Sequence, residues 1–141
     1  GGGTTVYAVE NYYEAVKTGK YTCTLGAGTF LDMMYMSDAL DAAINLMEAD
    51  PAKLLHRNSF NVTAMSFDPE MIAAEIRRHI PGFVMDYNVE PMKQGIANSW
   101  PNSMDDSCAR SEWNWKPSWN LESMTVDMLR AIREKKDKGL I

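Results

Sequence analysis

Phe60-Asn61-Val62-Thr63-Ala64-Met65-Ser66-Phe67-Asp68-Pro69 is the stretch on which the reading of the fold turns. Its first six residues are rich in apolar and β-branched types, which predicts a short buried strand over 60–65. Asp68 then offers an acceptor to the free N–H groups of a helix start, and Pro69 takes the first helical position, where a missing N–H is harmless. That helix is expected to run to about Ile80 and to stop at Pro81-Gly82. A strand that passes directly into a helix is the unit from which alternating folds are built.

The alternation extends in both directions. Downstream, 83–89 alternates apolar and polar residues through Phe83, Met85 and Tyr87, as a half-buried strand does. Helices are predicted over 91–100, about 106–113, and 121–136, the last carrying Met124, Met128, Leu129 and Ile132. Upstream, Ser37 is expected to cap a helix running to Glu48, with Asp38 in its positive first turn and Ala39, Leu40, Ala43, Ile44 and Met47 as its apolar stripe. Extended segments over 21–25 and 29–36 flank the turn Gly26-Ala27-Gly28. A first helix spans about 5–18, with Val9, Tyr12, Tyr13 and Val16 on one face and Gly19 as its stop. Helices and strands in this order place the chain in the α/β class.

Composition bounds the rest. With 141 residues and 45% hydrophobic content the chain can bury a core, as one domain or part of a larger one. No apolar run reaches the roughly 20 residues that span a bilayer. The net charge is −5, and the basic run from Arg133 to Lys138 is broken by Glu134 and Asp137, so no cationic face suits nucleic acid. Cys23 and Cys108 have no close spacing and no neighbouring histidine pair, which argues for two reduced thiols and neither a disulfide nor a metal site. Asn61-Val62-Thr63 satisfies a glycosylation spacing, but inside an expected buried strand.

Motifs of chemistry are sparse. A dinucleotide loop needs glycines between a strand and a helix; Gly1-Gly2-Gly3 has no strand before it, and Gly26-x-Gly28 leads into a strand. No G-x-S-x-G elbow occurs, and His56 and His79 read as surface cations near helix ends. Asp105-Asp106 reads as a helix cap. Trp113 and Trp115 read as packing residues that pin the last helix, whereas Trp100, beside Pro101 and among Asn98, Ser99, Asn102 and Ser103, suits the wall of a small-molecule pocket as well as a core. Met33, Met34 and Met36 fit core filling better than a flexible binding surface.

The order of several blocks is informative: Gly1-Gly2-Gly3-Thr4-Thr5-x-Tyr7-Ala8-Val9-Glu10, Met33-Met34-Tyr35-Met36-x-Asp38, Asn61-Val62-Thr63-Ala64-Met65-Ser66-Phe67, Ser99-Trp100-Pro101, and Asp105-Asp106-Ser107-x-Ala109-Arg110. In this order the chain closely resembles the C-terminal half of the L-threonine 3-dehydrogenases of the extended short-chain dehydrogenase (epimerase/dehydratase) type, over essentially all of 1–141. The last block is shared more widely with nucleotide-sugar epimerases. The resemblance implies a Rossmann-type α/β fold whose C-terminal part includes the small substrate-binding lobe. It implies NAD-dependent oxidation of L-threonine to 2-amino-3-ketobutyrate by the complete enzyme, with NAD and the catalytic Tyr-x-x-x-Lys pair held by an N-terminal half that precedes these residues.

Tyr13-x-x-x-Lys17 has that spacing but falls in the helix after Thr5, the wrong place. The chain alone is therefore expected to hold no catalytic, cofactor-binding or metal residue and to be inactive. Two contacts carry over as substrate-binding: Thr4 and Thr5, of which Thr5 is the better candidate, and Trp100, which would close over a small amino acid. Val6 stands where the family usually has an aspartate. Expected partners are L-threonine, the N-terminal half and a second copy in a homodimer, with no nucleic acid and no membrane; relatives occupy bacterial cytoplasm or the mitochondrial matrix. The rivals are a nucleotide-sugar epimerase or dehydratase fragment and a non-catalytic binding module.

Overall fold

The structure, a computed structural model, describes residues 7–141. Helix α1, Tyr7–Lys17, ends where Gly19 takes a positive φ of 73° and its N–H reaches back to the carbonyls of Glu14 and Ala15. Strand β1, Lys20–Cys23, follows, then β2, Leu31–Met33, and α2, Met36–Glu48. A single 3-10 turn at Pro51–Lys53 leads through an extended segment to β3, Met65–Phe67. Then come α3, Pro69–His79; β4, Val84–Tyr87; α4, Pro91–Asn98; α5, Ser107–Trp113; and α6, Leu121–Asp137.

β1 and β4 pair in parallel, Lys20 opposite Val84 and Cys23 opposite Tyr87, while β2 and β3 pair antiparallel, Leu31 opposite Phe67. Helices α1, α3 and α6 pack on one another, and α1 also packs on β1. Between them lies the main core, in which Tyr12, Leu25, Leu31, Phe67, Ile72, Ile76, Leu129 and Ile132 are all at most 2% exposed. A second, smaller cluster joins Ala42, Ala109, Trp113 and Trp115 with the half-buried Phe60, Val62, Met34 and Leu54.

The helix starts obey local chemistry. Asp68 accepts the Met71 N–H at 2.9 Å with Pro69 next in line, as the sequence predicts. Asn120 and Ser123 exchange hydrogen bonds in a capping box that starts α6.

Several expectations require correction. The strand expected over 60–65 lies instead at Met65–Phe67, because only there does a partner, β2, supply a ladder; Asn61 is exposed in the extended segment before it. The segment 29–36 pairs only at Leu31–Met33, since Thr29 and Phe30 close a turn on Gly26 and Gly28 and Met36 already opens α2. Tyr35, not Ser37, stands at the start of α2, with no side-chain cap.

Asp38 does stand in the first turn of α2, but it is not a solvated charge there. It is 1% exposed and binds the loop before α6. With Asp38 and Ala42 facing inward, the stripe of Leu40, Ala43, Ile44 and Met47 turns to solvent. Trp113 and Trp115 pack against each other and Phe60, not as a brace for α6.

Candidate functional site

Thr4 and Thr5 lie outside the described residues, so the part of the substrate wall assigned to them has no geometry here. Trp100 is described. It follows α4, on a turn in which the Ser99 and Trp100 N–H groups bond the Ile96 and Ala97 carbonyls and the Ser99 hydroxyl donates to the Ile96 carbonyl at 2.7 Å. These bonds fix the backbone under an indole that is 47% exposed, so core packing is not its role within this chain. The Ser66 hydroxyl donates to the Asn102 carbonyl at 2.5 Å, which ties the Ser-Trp-Pro turn to β3. The Asn61–Phe67 block is thus tied to the residue that follows Ser99-Trp100-Pro101.

In the same region a polar recess of about 400 Å³ opens between the turn 26–30 and α4, lined by Gly28, Thr29, Phe30, Gln94, Asn98 and Asn102, among others. Gln94 organises it. Its carbonyl oxygen accepts the Gly26 N–H at 2.8 Å, and its amide donates to Thr29 at 3.0 Å and to Asn98 at 2.7 Å. Gly28, at a φ of 75°, donates its N–H to the cap residue Asp68 at 3.0 Å. Amide and hydroxyl groups held this way can bind a small polar molecule without a net charge of their own. Sequence reasoning did not single out Gln94; its i, i+4 relation to Asn98 on α4 was the available signal.

A second cavity of about 300 Å³ is almost wholly apolar, walled by Val9, Tyr12, Met33, Tyr35, Phe67 and Met128, among others. The methionine cluster divides there: Met33 packs on the main core, Met34 on the second cluster, and Met36 is exposed.

The titratable residues flagged in the sequence fall into place. Tyr13 and Lys17 share α1, the Lys17 ammonium lies 5.8 Å from the Tyr13 ring centroid, and the Lys135 ammonium bonds the Tyr13 hydroxyl at 3.2 Å. That is a surface cation–π cluster. His79 ends α3 within 3.6 Å of Glu75. Asp105 accepts the Ser107 N–H at 2.9 Å, so half of the expected cap exists, whereas Asp106 makes no cap bond and pairs with Arg110 at 2.7 Å.

His56 follows the 3-10 turn and is no helix-end cation. Its ring Nδ1 contacts Glu112, whose other oxygen accepts the Leu55 and His56 N–H groups at 2.7 and 3.0 Å. Burial draws the Glu112 carboxyl upward, but the bonds from His56 and Leu55 outweigh it and hold it below the usual carboxylate range. Cys23 is buried in β1, which pushes its thiol up, and Cys108 is exposed on α5.

Among the described residues no glycine-rich turn links a strand to a helix N-terminus: the turn 26–28 leads into β2. That turn therefore supplies no helix N-terminus to receive a pyrophosphate. Nor is any helix among the described residues long and apolar enough to cross a membrane.

Comparison with known proteins shows what the chain is similar to. The X-ray structure of the L-threonine dehydrogenase of Clostridium difficile superposes with a TM-score of 0.93 and 56% identity over 96% of this chain and 42% of that one. The chain has the fold of the C-terminal part of the extended short-chain threonine dehydrogenases. The L-threonine dehydrogenase of Phytophthora infestans matches with a TM-score of 0.92 and 49% identity over 96% of this chain and 43% of its own. A Staphylococcus aureus (strain USA300) protein called an uncharacterized epimerase/dehydratase is 57% identical over 135 residues. The chain spans 42% of the length of that curated relative. No protein-family model matches.

Proposed function

We propose that these 141 residues are the substrate-binding portion of an NAD-dependent L-threonine 3-dehydrogenase that oxidises L-threonine to 2-amino-3-ketobutyrate. The observation that carries this reading is Trp100: a large indole, half exposed, on a turn fixed by backbone bonds and tied to β3 through Ser66. Closed over the amino acid in the complete enzyme, a ring of this bulk leaves room for a substrate of few atoms and can donate one N–H to it. Thr4 and Thr5 complete the substrate wall, with Thr5 bonding the polar end of the amino acid. NAD and the general base belong to an N-terminal cofactor-binding half, and two complete chains form a homodimer in the cytoplasm or mitochondrial matrix.

The test joins this chain to the N-terminal part of the Clostridium difficile enzyme and follows NADH formation from L-threonine. Threonine-dependent activity is expected, with kcat/KM at least about tenfold lower in Trp100→Ala, which is about 1.4 kcal/mol of transition-state binding. The name of the Staphylococcus aureus relatives favours a second reading, epimerisation or dehydration of a nucleotide sugar. Turnover of a nucleotide sugar without threonine oxidation would establish that reading in place of the first.

A further inference from the structure

Three side chains that the proposed reaction does not use converge on the second cluster. Cys108 and Glu112 stand one turn apart on α5, hence on the same face. His56 reaches them from the loop after the 3-10 turn, 56 residues from Glu112 in sequence. The His56 ring nitrogen, the Cys108 Sγ and a Glu112 carboxylate oxygen all lie within 4.8 Å of one another. We propose that His56, Cys108 and Glu112 form a binding site for a borderline-soft divalent cation, of which Zn²⁺ is the type.

The donor set is one imidazole, one thiolate and one carboxylate, which together suit Zn²⁺ and disfavour the oxygen-seeking Mg²⁺ and Ca²⁺. Tetrahedral ligands at roughly 2.0–2.3 Å from zinc sit about 3.3–3.8 Å apart, so the His56–Glu112 contact must open by about 1 Å, while the wider separations, all within 4.8 Å, close by a similar amount or less.

The support behind the donors is already built. Glu112 is 9% exposed, and one of its oxygens is held by the Leu55 and His56 N–H groups, so the other is held toward the His56 ring. His56 stands edge-on to Phe60, with ring centroids 6.1 Å apart, and Phe60 in turn packs on Trp113. An ion seated between the three atoms replaces the His56–Glu112 contact and leaves both backbone bonds to Glu112 in place. Binding converts the Cys108 thiol to thiolate and releases its proton to solvent. With Cys108 exposed and the His56 side chain 53% exposed, the fourth position faces water. Three protein ligands and an open position describe an exchangeable ion, not a closed structural one.

The experiment is a titration of the full chain, treated with reductant, with Co²⁺ and then Zn²⁺. One equivalent of Co²⁺ is expected to give a thiolate-to-cobalt charge-transfer band and intense tetrahedral ligand-field bands, both erased by one equivalent of Zn²⁺. Cys23 is buried at 0% exposure, so the charge-transfer band reports Cys108. Cys108→Ser should remove that band and weaken Zn²⁺ binding by more than about 100-fold, beyond the loss of a mere outer-shell partner. This exposed position can be changed without unfolding the chain, which circular dichroism will verify. His56→Ala provides the second check, with a comparable loss of affinity. An unchanged cobalt spectrum in Cys108→Ser, or no stoichiometric binding by the parent chain, overturns the proposal, and neither result bears on threonine oxidation.

Discussion

The Asp38 carboxylate accepts the backbone N–H of Ser118 at 2.9 Å, across 80 residues of sequence, and its second oxygen accepts that of Trp119 at 3.1 Å. Both bonds are made by a side chain that is 1% exposed. They anchor the loop before α6 to the start of α2, beside the edge-on pair of Tyr35 and Trp119 with ring centroids 4.8 Å apart. Asp38→Ala leaves two N–H groups without their acceptor and is expected to cost about 3 kcal/mol. Asp38→Asn is also costly, because its amide turns a donor toward one of those N–H groups. Urea unfolding with an unchanged m-value and a lower midpoint will measure both.

Tyr12 and Thr125 meet at 2.7 Å in the main core, and Thr125 donates its own proton to the Leu121 carbonyl, so the Tyr12 hydroxyl is the donor between them. The two single variants are therefore unequal. Tyr12→Phe removes one donor and leaves Thr125 bonded to Leu121, a loss of about 1 kcal/mol. Thr125→Val leaves a buried phenol without an acceptor, and about 2–3 kcal/mol is expected. Equal losses in a double-mutant cycle would show that Tyr12 has another acceptor.

Tyr35 donates to Asp127 at 2.7 Å, and Arg130 bonds the other oxygen of that carboxylate at 2.5 Å. Burial first, then the Asp127 charge, pushes the Tyr35 phenol up to about 12. Arg130 first, then Tyr35, holds Asp127 below the usual carboxylate range. The signs are opposite. The Tyr35 contribution is full below its ordinary value near 10 and is lost as pH rises toward 12, whereas that of Asp127 is full above about 4 and fades as pH falls through its depressed value. In an alkaline absorbance titration, Tyr35→Phe should delete a phenol ionising near 12. Asp127→Asn should bring that ionisation down in part, leaving the share due to burial.

Leu40, Ile44 and Met47 on α2 are 58%, 45% and 77% exposed. A contiguous apolar face of this kind binds hydrophobic dyes. Leu40→Gln combined with Ile44→Gln is expected to lower dye fluorescence markedly and to change the unfolding midpoint by less than about 0.5 kcal/mol equivalent. A large destabilisation instead would mean that this face is covered.

How far the sequence carried these conclusions differs by element. Asp68-Pro69 announced α3 because a cap and a proline act locally, and α6 was legible from the spacing of Met124, Leu129 and Ile132. The strands were displaced because a strand exists only where a partner runs beside it, and β3 is placed by β2, some 30 residues upstream. The α2 stripe was legible as apolar, but periodicity reports amphipathicity without saying what covers the apolar side. At the site, Trp100 was proposed from its polar neighbours and from the resemblance, but Gln94 and the meeting of His56 with Glu112 were hidden, since each depends on a turn or loop brought in from a distance.

The parallel ladder between β1 and β4 pairs Lys20 with Val84. Such pairing cannot begin until the intervening chain has closed into a large loop, and the Asp38–Ser118 bond requires another. Local helices can form within microseconds, but this topology places the productive encounter far later, in the regime of slow, non-local folders. During that delay β1 presents an unpaired row of N–H and C=O groups next to apolar helix faces. Yield on refolding will therefore be governed by the race between intramolecular closure and intermolecular strand capture, and dilution should improve it more than any stabilising substitution in α1 or α3.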